Sequence, residues 1–150
     1  MDRAGAASEF ASRYASYLDA TGRPGTDTPL GLGPAIDEAL RHLSVPEATI
    51  LVWQGTTPEA DQDLRVQLDY RLLGQIVRDL GTTFDISDPE GSLRLNQMRQ
   101  AAREDLAAAK EAVLQRFHTL GVVPPAAGAS PFVTLNLNVF DDEDIYDGIG

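Results

Sequence analysis

The chain has two histidines, His42 and His118, and no cysteine. A thiolate nucleophile, a disulfide and a thiolate metal site are therefore excluded. Each histidine falls near the end of a predicted helix, where a cation meets the negative end of the helix dipole. Neither is followed three or four residues on by a second histidine or a carboxylate, the spacing a helical metal site needs. Helix-end capping is the expected role, and no metal is expected. Serine hydrolysis requires an elbow such as G-x-S-x-G, which is missing. Gly31-Leu32-Gly33 is the only glycine pair near a helix start, and it lacks the lysine and preceding strand of a phosphate loop. Turn geometry accounts for it. Asp85, Asp88 and Glu90 share one connection and form the only candidate cation cluster, with a solvated loop as the expected state. The terminal stretch DDEDIYDG lacks the alternating oxygen ligands and distal glutamate of an EF-hand loop. Trp53 is the sole tryptophan and is expected to pack in the core. These residues predict neither an enzyme nor a cofactor.

The composition bounds the remaining choices. At 150 residues the chain fits one domain able to bury a core without staples, and 43% apolar residues argue against wholesale disorder. No signal peptide is visible, and no apolar run is long enough to cross a membrane. The net charge of −11, from 23 acidic and 12 basic residues, disfavours holding nucleic acid by its phosphates or lying on an anionic membrane. The charge is uneven: Asp141, Asp142, Glu143, Asp144 and Asp147 fall in the last ten residues with no basic residue among them.

The elements follow from periodicity and punctuation. Residues 3–20 read as a first helix with Phe10, Tyr14, Tyr17 and Leu18 on one face. The stretch 21–33 reads as a loop. Pro34 opens a short helix with Ile36, Leu40 and Leu43 as its stripe, and Pro46 ends it. Residues 48–54 (ATILVWQ) suit either a short strand, near 49–53, or a buried helical turn. Thr57-Pro58-Glu59 starts a helix running to Leu80, with Gly81 as its left-handed end. Leu64, Leu68, Leu72, Leu73, Ile76, Val77 and Leu80 form its apolar face. Asp61–Arg65 and Arg65–Asp69 are expected as i,i+4 pairs along it. The longest helix starts near Pro89 or Leu93 and runs to Leu120, with Gly121 closing it. Leu95, Met98, Ala102, Leu106, Ala109, Val113, Phe117 and Leu120 form its seam, and alanines 101, 102, 107, 108, 109 and 112 permit close helix approach.

The fold class is thus mainly α: a helical bundle domain over 1–123, a Pro/Ala/Gly linker over 124–131, and an extended arm over 132–150. Within the arm, residues 132–140 (FVTLNLNVF) alternate, with Val133, Leu135, Leu137 and Val139 on one face and Thr134, Asn136 and Asn138 on the other. A lone strand leaves both edges unpaired. It must pair with 49–53 within the chain or add to a partner's sheet, and its terminal position after a linker favours the partner. The expected partner-binding residues are Phe132, Val133, Leu135, Leu137, Val139, Phe140, Ile145 and Tyr146.

This order of parts, PAIDEALRHL (34–43), two longer helices (58–80 and 93–120), a Pro/Gly linker and PFVTLNLNVFDDEDIYDGIG, resembles the bacteriophage head-to-tail adaptor (connector, or neck) proteins. The resemblance lies in layout. It implies a structural subunit of a homo-oligomeric ring, usually a dodecamer, that docks on the portal protein through its C-terminal arm. It further implies a tail or stopper protein as second partner, DNA passing through the lumen without sequence-specific contact, and a place in the virion after assembly in the host cytoplasm. The alternative is a small acidic chaperone or adaptor that binds a basic partner through its tail.

Overall fold

The computed structural model of the protein describes residues 1–82 and 89–124. Among these residues the chain forms six helices: α1 (Arg3–Arg13), α2 (Ala15–Thr21), α3 (Gly33–His42), α4 (Glu47–Ile50), α5 (Pro58–Thr82) and α6 (Pro89–Phe117). The expected helical bundle with two longer helices is what they build.

The first helix is capped by Asp2, whose side chain accepts the Gly5 N–H at 2.8 Å. The single helix expected over 3–20 is divided at Tyr14, which leaves helical geometry at φ −114°, ψ 28°. The bend leaves the Tyr14 hydroxyl donating to Asp69 of α5 at 2.6 Å, while Phe10 and Leu18 on either side of it are buried. α2 ends at Gly22, whose φ of 71° allows the Arg23 N–H to return to the Leu18 carbonyl at 3.1 Å.

Pro34 sits in the first turn of α3, as expected, and Ala35, Ile36, Ala39 and Leu40 are buried. No strand forms at 49–53; of the two readings open for that stretch, the structure takes the helical turn. Pro46 precedes the turn, and its carbonyl accepts both the Thr49 N–H and the Thr49 hydroxyl at 2.9 Å. Ile50 alone of the turn is buried, while Leu51 and Val52 stand 77% and 76% exposed, so the β-branched content never makes an alternating buried face. The residual β character is a single bridge between Asp2 and Gln54. Trp53 is partly buried against the core.

α5 is the central element, packing on α2, α3 and α6. Thr57 caps it, accepting the Ala60 N–H at 3.1 Å. Leu64, Leu68, Leu72, Leu73, Ile76 and Leu80 are buried along it, at about 1.5–3 kcal/mol of transfer free energy for each large apolar side chain. The helix continues through Gly81, which is not left-handed, to Thr82.

α6 starts at Pro89, the earlier of the two expected starts, and runs antiparallel to α5. Arg99 reaches the Leu80 carbonyl at 2.7 Å and Arg116 reaches Asp63 at 2.6 Å. Ala102, Ala109 and Val113 are buried, with Leu95, Met98 and Leu106 half-buried beside them. Of the six alanines expected to bring helices close, only Ala102 and Ala109 do so; the other four are exposed. The helix ends at Phe117, short of the expected Leu120. His118, at φ 61°, turns the chain in place of Gly121.

One residue departs from the apolar interior. Gln67 is fully buried, and neither its Oε1 nor its Nε2 meets a hydrogen-bond partner. An unsatisfied buried amide costs about 1–3 kcal/mol. Gln67→Met keeps the volume and removes the polar atoms, so it should stabilise the protein by about 1 kcal/mol. The urea midpoint should rise; a fall would mean that the amide is satisfied in solution.

Candidate functional site

The residues expected to bind a partner (Phe132, Val133, Leu135, Leu137, Val139, Phe140, Ile145 and Tyr146) lie outside the described residues, as do Asp85 and Asp88 of the candidate cation cluster. Glu90 is exposed on α6. No group of three acidic or histidine side chains among the described residues is placed to hold a metal ion.

The point from which the C-terminal arm leaves the bundle is described. After the turn at His118, an Nη2 of Arg71 on α5 donates to the Leu120 carbonyl at 2.8 Å. The chain then crosses to the C-terminal end of α3. The Val123 N–H donates to the His42 carbonyl at 2.7 Å, satisfying one of the main-chain acceptors that a helix end leaves open. The Ser44 hydroxyl donates to the Val123 carbonyl, with Ser44 itself left-handed at φ 64°. His42 therefore serves the helix end, as its position suggested: its Nδ1 donates to the Glu38 carbonyl at 2.8 Å. His118 is exposed. Sequence reasoning missed Arg71 and Ser44, because bonds from side chains to distant carbonyls leave no local pattern.

A second cluster centres on Arg3. Its Nε and Nη2 donate to Asp27 at 2.9 and 2.8 Å, and its Nη1 donates to Asp37 at 2.6 Å and to the Ile50 carbonyl at 3.0 Å. The guanidinium is 8% exposed. A cavity of about 360 Å³ opens beside it, walled by Pro29, Pro34 and Leu51 with Arg41 at its edge. Both carboxylates in this cavity are engaged by Arg3, so the arrangement joins the loop and α3 to α1. The glycine pair, expected to serve turn geometry, is required by close backbone approach, with neither glycine left-handed. A Cβ on Gly31 would fall 2.4 Å from the Thr26 carbonyl oxygen, and one on Gly33 would fall 2.7 Å from that of Thr28.

The ion pairs expected along α5 are instead made between helices. Arg65 pairs with Glu9 of α1 at 3.0 Å, Asp69 with Arg13 at 3.0 Å, and Asp61 with the Met1 amino group at 3.4 Å. Arg23 bridges the loop to α5 through Asp79 at 2.6 Å and Gln75 at 2.9 Å. Burial, reinforced by the bond to Asp69, pushes the Tyr14 hydroxyl well above the usual phenol range. Burial and the bond to Asp105 push Tyr17 up to about 12.

No helix among the described residues is long and apolar enough to cross a membrane. The class the fold defines is a mainly α helical bundle. No protein-family model, curated protein or solved structure matches the chain.

Removing the central cation should be costly. Arg3→Met strands two carboxylates that are 26% and 28% exposed, and the loss should be about 2–3 kcal/mol once that exposure is discounted. The bond from Arg3 holds the Asp27 carboxyl below its ordinary value. A lowered folded-state value contributes stability above the unfolded carboxylate range of about 4, and that stability is lost as pH falls through the folded value. Urea midpoints should therefore drop in acid for the wild type and drop less for Asp27→Asn. Parallel pH profiles for the two would contradict this.

Proposed function

We propose that the chain is a non-catalytic assembly subunit of a phage head-to-tail connector ring. It docks on the portal through residues 132–150 and joins the portal to tail components. The ring is homo-oligomeric, with twelve copies as the expected number, and DNA passes through it without base-specific contacts. The virion is its site of action.

The observation that carries the reading is the fixed departure of the arm. The last described residues are bound to the end of α3 through His42, Ser44 and Val123, so whatever follows starts from a defined place on the bundle. An arm rooted this way starts from one place on the bundle, which lowers the cost of bringing an apolar alternating segment to a partner's sheet edge. The acidity suits the lumen, since a negative surface does not hold passing DNA by its phosphates.

The native mass of the protein, alone and with portal and tail proteins, tests the ring. A higher-order species built from this chain is expected; a strict monomer that enters no larger particle would sink the proposal. Deletion of 132–150 tests the arm. The truncated protein should stay folded and fail to assemble, whereas loss of the fold would make the segment part of the core. Ser44→Ala should leave the melting temperature within a few degrees of wild type, as expected for about 1 kcal/mol, yet weaken portal association.

A further inference from the structure

Six of the twelve basic residues (Arg3, Arg13, Arg23, Arg41, Arg65 and Arg116) are spent in ion pairs with carboxylates. Arg71 and Arg99 donate to main-chain carbonyls. Among the described residues, Arg78, Arg94, Arg103 and Lys110 have no hydrogen-bond or ion-pair partner. One of those four, Arg78, lines a groove between α5 and α6. A cavity of about 340 Å³ is lined there by Tyr70, Arg71, Gly74, Val77, Arg78 and Leu106, with Glu38 of α3 as its one carboxylate. Arg103 and Lys110 stand three residues before and four after Leu106, the spacing that puts all three on the same face of α6. The groove therefore has an apolar floor (Tyr70, Val77, Leu106) with Arg71 and Arg78 in its wall. Helical spacing places Arg103 and Lys110 on the side of α6 that carries Leu106, and Glu38 is the one carboxylate in the lining. The Nε of Arg71 is buried there without a partner.

In a chain of net charge −11 these exposed cations make a local positive patch that suits an anionic occupant, and the chain itself carries one. Residues 141–147 hold five carboxylates, no basic residue, and Ile145 and Tyr146 as apolar side chains that match the floor. The chain after α6 is fixed at the C-terminal end of α3, where Val123 binds His42, one helical turn beyond the Glu38 that lines the groove. From Pro124 to Asp141 the chain can span up to roughly 55 Å when extended, several times the ~10 Å between Arg103 and Lys110 along α6. We propose that the acidic tail, residues 141–147, docks in cis on this α5–α6 groove. Tethering gives the tail an effective concentration in the millimolar range, which favours the same chain over a second copy. The contact holds whether or not the protein assembles into a ring; in an assembly, a partner that takes the arm must first displace the tail.

The chain has no native cysteine, so Gly148→Cys gives a single site for a nitroxide label on the full-length protein. Amides of residues 70–78 and 103–110 should broaden in the oxidised relative to the reduced sample. The broadening should vanish at about 1 M NaCl, where the screening length is about 3 Å. It should also vanish in Arg78→Glu/Arg103→Glu/Lys110→Glu, whose exposed, unpaired side chains leave the helical circular dichroism unchanged. Broadening elsewhere, none at all, or broadening that survives the triple charge reversal overturns the proposal. Broadening of unlabelled, isotope-enriched molecules mixed with labelled unenriched ones also overturns it, by assigning the groove to the tail of a second copy.

Discussion

A buried guanidinium tolerates very few arrangements around it, and the N-terminal half of this protein is organised by one. Arg3 projects from the first turn of α1 into the space between the loop, α3 and the α4 turn, and every hydrogen bond its guanidinium makes goes to a different segment from its own. The α4 turn is short and buries only Ile50, and the loop is rich in glycine and proline, so the apolar contribution here comes mainly from α3 and Leu32. Withdrawing a charge from water costs several kcal/mol, and only a full set of partners offsets it. The cluster's contribution is thus positional more than energetic. It selects the one placement of α1 against α3 and α4 that satisfies Asp27, Asp37 and the Ile50 carbonyl together.

The other half is organised by apolar contact. α5 is buried along its length because helices lie on several sides of it, whereas α6 rests on α5 and buries a single narrow stripe. Small side chains at Ala102 and Ala109 set the closeness of that contact, and Arg99 and Arg116 fix its register at the two ends. The long helix consequently keeps most of its surface exposed, including Leu93 at 58%.

The sequence exposes this division unevenly. The leucine spacing of α5, the proline starts of α3 and α5 and the Thr57 cap are local signals, and the structure follows each of them. Side-chain ion pairing is not local: Arg65 has carboxylates four residues away on both sides and still pairs with Glu9, because α1 lies against α5 and presents it. At 48–54 the residue types suit a strand as well as a turn, but Pro46 and the burial of Ile50 alone select the helical turn. The end of α6 is a case of tertiary override. Leu120 continues the apolar seam, yet the chain turns at His118 so that Arg71 can take the Leu120 carbonyl and His42 the Val123 amide. The residues expected to bind a partner are a sequence pattern outside the described residues, and the groove was illegible because its cations belong to two different helices.

These two halves meet at α3. Asp37 near its middle is bound by Arg3, and His42 at its end holds the departing chain, so the arm's origin is positioned by the same helix that the buried cation places. The two kinds of interaction differ in how water and salt reach them. The Arg3 cluster is largely sheltered, so added salt screens it little; the basic groove of α5 and α6 is open, so salt screens it strongly. Raising the ionic strength should therefore release an acidic tail while leaving the arm's root in place. That separation allows the arm to become available without any loosening of the bundle that carries it.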